Sequence, residues 1–197
     1  MSKPKQFELE KTVQALNFFL NQEPSRTMDK MKLLKLLWLA DRSTLRNYGY
    51  SITNDDYYAM RFGSIGTSTK DILDNDEDRP YIDEYIEVLS DRNIKSKKAI
   101  KFDEFSETDL STLKMVWAVY GTWTSAELST YSHKFPEWLK HKDQIERSGS
   151  SYKEDVQDFF KNPAIRPHKY IFNEDEETLA TSRLWLDEDA KFKSVFM

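Results

Sequence analysis

The sequence predicts a mainly α (α+β) fold: a compact multi-helix domain around one buried central helix, with a small antiparallel sheet or hairpin. Three observations predict it. From Met28 to Asn47, leucines, Trp38 and Ala40 occupy nearly every direction of a helical wheel except one stripe of Lys32, Lys35, Arg42 and Arg46. A helix apolar over most of its girth belongs inside a domain. Apolar residues also recur at helical spacing before and after this stretch, whereas only two short segments, Tyr57 to Arg61 and Ile94 to Phe102, read as extended.

In chain order, Leu9, Val13, Leu16, Phe19 and Leu20 define a first helix from Phe7 to Asn21, ended by Glu23-Pro24-Ser25. Thr27 is the expected N-cap of the central helix, with Asp29 in its first turn, where the helix dipole favours a carboxylate. Within that helix Asp41 falls among Leu34, Leu37, Trp38 and Leu45, so its carboxylate points inward. A buried carboxylate must be hydrogen-bonded or paired, so Asp41 needs a partner from elsewhere in the chain. Tyr48-Gly49 supplies the stop.

Turn residues Thr53 to Asp56 precede a short extended segment through Tyr57, Tyr58, Ala59 and Met60. Gly63-Ser-Ile-Gly66-Thr67 then leads into a helix through Ile72 and Leu73, broken by Asn75 to Pro80. Ile94 to Phe102, with Lys95, Lys97 and Lys101 on one side, reads as an edge strand paired with Tyr85 to Leu89 or with Tyr57 to Arg61. Helices open at Ser106-x-x-Asp109, at the capping box Thr124-x-x-Glu127, near Pro136, and at Ser151-x-x-Glu154.

The segment Lys32-Leu-Leu-Lys-Leu-Leu-Trp-Leu-Ala-Asp41, the following Tyr48-Gly49, Asp55/Asp56 ahead of Ala59, and Gly63-x-x-Gly66 resemble the signature of the Panacea domain, the SocA-like antitoxins. A second block, Tyr120 to His133 and on to Trp138, is similar to the family's later motif, a helix that begins Ser/Thr-x-x-Glu-Leu and closes with Ser/Thr-His. Residues carrying the likeness are Asp41, Tyr48, Gly49, Gly63, Gly66, Glu127, His133 and Trp138. Ser64 stands where family members usually have Pro, and Phe62 where Tyr is common. The resemblance sets a domain over residues 1–162, followed by a C-terminal extension, 163–197, expected to dock on it.

Length and composition bound the function. The chain of 197 residues is long enough for a sizeable core, and at that size about 70% of the unfolded surface can be buried. Without Cys it has no thiolate chemistry, disulfide or Cys-based metal site, and it starts without the apolar stretch of a signal peptide. A cytoplasmic protein with no membrane partner is expected. A net charge of -5 argues against a dedicated nucleic-acid binder, while 14% aromatics suits protein recognition.

The candidate chemistry is thin. The three histidines lack convergent metal-ligand spacing, and Asp74 to Asp78 fails as a calcium loop because Arg79 and Tyr85 stand where Gly and Glu are required. Gly63 to Ser68 lacks the Gly-Lys-Ser/Thr ending of a nucleotide loop. No cofactor, metal or catalytic set is therefore expected, and His133 is a candidate partner for Asp41 at a helix end. The resemblance implies an antitoxin that binds a cognate protein toxin, encoded by the adjacent gene. Interface energy concentrates in a few aromatic and Arg anchors, here Tyr57, Tyr58, Arg61, Phe62 and Trp123, with Tyr170 and Trp185 from the tail. The alternatives are a regulator that binds operator DNA, a protease adaptor, and an enzyme using Asp41 and His133.

Overall fold

In the computed structural model, residues 7–75, 79–90, 92–163, 172 and 174–196 are described. Helix α1 (Leu9–Gln22) is followed by a short strand, β1 (Thr27–Asp29), and the central helix α2 (Lys30–Tyr48). Thr27 is thus not the cap of α2; it pairs with Lys95 in a sheet. Asp29 caps instead, its carboxylate accepting the Lys32 amide at 3.0 Å, because the chain stays extended for two residues longer than expected. Gly49 ends α2 at φ 70°, the left-handed conformation that Gly adopts without strain.

Among the described residues two three-stranded antiparallel sheets flank α2. In one, β5 (Asn93–Ser96) lies between β1 and β4 (Ile86–Val88), with Met28 and Val88 both opposite Ile94. The Ile94 segment is therefore a central strand, not an edge: its partner in Tyr85 to Leu89 is present, but β1 covers its other side. In the second sheet, β2 (Tyr57–Met60) lies between β3 (Gly63–Gly66) and β6 (Tyr152–Lys153).

The remaining helices are α3 (Thr67–Asp74), α4 (Arg79–Tyr85), α5 (Glu107–Tyr120), α6 (Ser125–Ser132), α7 (Pro136–Leu139), α8 (Lys142–Ser148) and α9 (Glu176–Phe196). Both expected capping boxes form, Ser106 with Asp109 and Thr124 with Glu127. The helix expected after Ser151 does not form. Tyr152 and Lys153 join a sheet, Glu154 turns inward to the Ser64 hydroxyl, and Asp155 caps a 3-10 turn at Val156–Phe160.

α2 is buried from Leu33 to Arg46 and is packed by α1, α5, α6, α9 and β3. Its apolar side chains form the centre of the core, with Trp38 edge-on to Phe135 and Phe159. α9 lies along α2 with Leu179, Ser182 and Leu186 inward, and it comes so close at Gly49 that a Cβ there would meet the Ser182 carbonyl and, at 3.0 Å, the Trp185 Cβ.

Candidate functional site

The polar stripe of α2 faces protein rather than water. Lys35, Arg42 and Arg46 are buried, and each donates to a segment distant in sequence. Lys35 Nζ donates to the Ser64 carbonyl at 2.8 Å, and Arg42 Nε to Glu137 at 2.6 Å. Arg42 also lies 4.4 Å from the Phe135 ring and 4.6 Å from that of Phe172. Arg46 bonds Glu174 at 2.8 Å, Asn162 at 2.6 Å and the Phe159 carbonyl at 2.8 Å. Buried charges persist only when partnered in this way. Burial still pulls the Lys35 ammonium down to about 7, against the opposing pull of the Glu154 charge. Burial, then the neighbouring Glu137 charge, pushes the Glu154 carboxyl well up, so both groups move towards their neutral forms.

Asp41 is sealed in. Its two oxygens accept from the Thr53 amide at 3.1 Å and the Thr53 hydroxyl at 2.6 Å, so its partner is Thr53 and not His133. Burial outweighs these bonds and raises its carboxyl to about 7. Thr53 Oγ1 accepts in turn from the Asp55 amide at 3.2 Å, and Asp55 caps α3 by accepting the Ser68 and Thr69 amides, each at 2.8 Å. Gly66 leaves room for that carboxylate, since a Cβ there would lie 2.6 Å from the Asp55 Cγ. A relay of bonds thus runs from α2 through the 51–56 loop to the end of the β2–β3 hairpin.

That hairpin is where the sequence motifs converge. Its turn is Arg61-Phe62, and Gly63 follows at φ 94°, where an added Cβ would collide with the Ser132 hydroxyl and lie 2.6 Å from Lys35 Nζ. Trp138 Nε1 donates to the Met60 carbonyl at 2.9 Å on one side of the turn, and Lys35 and Glu154 hold Ser64 on the other. His133 stacks on Trp138 with ring centroids 4.0 Å apart; burial, then the Lys35 charge, lowers its pKa. The outcome is a rigid tip with Phe62 60% exposed and the Arg61 guanidinium 5.8 Å from its ring. Beside it opens a groove of about 560 Å³ between the start of α2 and α6.

The other expected anchors are dispersed. Tyr57 is buried, its hydroxyl 2.6 Å from Ser51, so it has no surface to offer a partner, while Tyr58 is half-buried on the opposite face of β2. Trp123 packs edge-on against Tyr120 and Tyr131. Tyr170 lies outside the described residues. Trp185 is exposed on α9 near Tyr48, which is itself exposed beside Tyr50. Glu127 is engaged in its cap. Lys35, Ser64 and Glu154 are legible in the sequence only as a member of the basic stripe, a position in the glycine motif and a helix-start carboxylate, and nothing in their spacing shows that they meet at the hairpin.

Among the described residues no group of three His, Asp or Glu side chains could hold a metal ion, and no helix is long and apolar enough to cross a membrane. No curated protein and no solved structure matches the sequence. A family profile does: "Antitoxin SocA-like, Panacea domain" matches residues 33–139, more than half of the chain and the span that holds most of α2, the hairpin, His133 and Trp138. The chain therefore belongs to the SocA-like antitoxin, or Panacea-domain, family.

Proposed function

We propose that this chain is an antitoxin that neutralises a protein toxin by direct binding, with the Arg61-Phe62 turn as its primary contact. The single observation behind this reading is a large aromatic side chain, 60% exposed, at the tip of a hairpin whose two strands are fixed by buried bonds to Lys35, Glu154 and Trp138. An anchor already held in place loses little conformational entropy on binding, and aromatic and Arg side chains are the usual centres of interface energy. Family membership favours an antitoxin-like role, and the family is not typically enzymatic. The enzyme alternative needs Asp41 and His133 to meet in an open cleft. Asp41 is instead 1% exposed and engaged by Thr53. Operator binding sits poorly with a net charge of -5. Delivery of the toxin to a protease is compatible with the same contact.

Co-expression with the toxin encoded by the adjacent gene tests the proposal. Wild-type chain is expected to restore growth and to co-elute with the toxin, and Phe62→Asp to lose both while keeping its helical circular dichroism. Toxicity undiminished by the wild-type chain overturns the reading.

A further inference from the structure

We infer that the pocket at the C-terminal end of α2 takes an organic cation, an alkylammonium or guanidinium group, against the rings of Tyr48, Tyr50 and Trp185. The pocket holds about 440 Å³ and lies at the opposite end of α2 from Phe62, so the inference goes beyond the antitoxin reading and does not depend on it. Its three rings are gathered around one glycine. Tyr48 and Tyr50 flank Gly49 with ring centroids 6.3 Å apart, and Trp185 reaches the same turn because its Cβ lies 3.0 Å from where a Gly49 Cβ would stand. The Tyr50 hydroxyl donates to Asp109 at 2.9 Å, which holds that ring in place before any ligand arrives.

The exposed apolar surface of the pocket is aromatic. Ile52 and Leu186 also line it but are buried, whereas Tyr48 is 42% and Trp185 52% exposed. Aromatic faces carry negative potential and attract cations, Trp most strongly. The charged side chains agree in sign when each is counted at full charge. Glu8, Asp189 and Lys11 line the pocket, and Lys11 pairs at 3.0 Å with the buried Asp109, so three carboxylates stand with one ammonium among the described residues. The C-terminal end of α2 and the N-terminal end of α1, at Glu8, both open here; their dipoles oppose each other, and the side chains set the sign. A neutral alkyl group gains nothing from these carboxylates and a phosphate is repelled by them, whereas a cation is drawn to the rings and the acids together. A free small-molecule ammonium and the Lys or Arg side chain of a partner share that chemistry.

Titration of the full-length chain, followed by ligand-observed NMR, tests the inference with two shape-matched pairs: choline against its uncharged tert-butyl isostere, and a capped Gly-Arg-Gly peptide against its citrulline counterpart. At least one cation is expected to bind about tenfold tighter than its neutral match. Trp185→Ala, which keeps the Cβ against Gly49, should weaken that cation about tenfold, and Glu8→Gln about threefold, with helical circular dichroism unchanged in both. Tighter binding of choline identifies a free ammonium as the ligand, and tighter binding of the Arg peptide identifies a partner side chain. Equal binding within both pairs, no binding of either cation, or indifference to either substitution would overturn the inference.

Discussion

Asp41 shows how a single residue can be legible in its placement and illegible in its chemistry. The apolar neighbours on its helical face identify it as inward-pointing, but Thr53 as its partner depends on how the 51–56 loop folds back over α2. Its carboxyl, held up to about 7 by burial, gives a pH dependence of definite sign. Well below pH 4, Asp41 is neutral in both folded and unfolded chains, the ordinary value being 3.8. As pH rises towards 7 the unfolded chain releases a proton that the folded chain retains, so stability falls, by up to roughly 4 kcal/mol from this group. Lys35, lowered to about 7, acts in a separate window: its penalty is greatest below pH 7 and is relieved as pH rises towards 10.5. Urea midpoints of wild type and Asp41→Asn, measured near pH 5 and near pH 7.5, are expected to show a smaller loss in the variant; parallel losses would mean that Asp41 ionises normally. Phe62→Ala, by contrast, should alter stability by no more than about 0.5 kcal/mol, because the ring is mostly in solvent.

At the scale of the element, the β2–β3 hairpin joins features that are scattered along the sequence. The extended segment from Tyr57 can be read from the sequence, but Gly63 to Gly66, read there as a lead into a helix, is strand β3, and the anchors Lys35, Trp138 and Glu154 are remote in sequence and converge only in space. Gly63→Ala forces a side chain into Ser132 and Lys35 at a positive φ and is expected to cost more than about 2 kcal/mol in thermal or urea unfolding. Trp138→Phe retains most of the ring packing but leaves the Met60 carbonyl without its donor, a loss of about 1–2 kcal/mol. If the hairpin positions Phe62 for binding, Trp138→Phe should also weaken the toxin complex, even under conditions where the variant is fully folded.

Across the whole molecule, the matched span 33–139 does not satisfy its own buried charges. Arg42 finds Glu137 within it, but Arg46 depends on Phe159, Asn162 and Glu174, and Ser64 depends on Glu154. We therefore propose that residues 163–197 complete the domain rather than hang from it. Glu174→Gln should lower stability by about 1–3 kcal/mol by weakening a charge-assisted pair. Truncation after residue 163 should cost at least about 3 kcal/mol, since it removes that partner together with Leu179 and Leu186 and uncovers the face of α2 and the Gly49 turn on which α9 packs. A truncated chain with an unchanged urea midpoint would sink the proposal.

Local pattern alone determined the buried central helix, the two capping boxes and the family, because helical periodicity and capping chemistry act over a few residues and survive in any context. Tertiary structure decided the rest: that the basic stripe of α2 is buried, that Ile94 lies in a central strand, that Asp41 meets Thr53, and that Phe62 rather than Tyr57 reaches the surface. Those outcomes depend on which distant carboxylate, carbonyl or strand edge arrives to satisfy a polar group withdrawn from water, and no local spacing encodes that arrival.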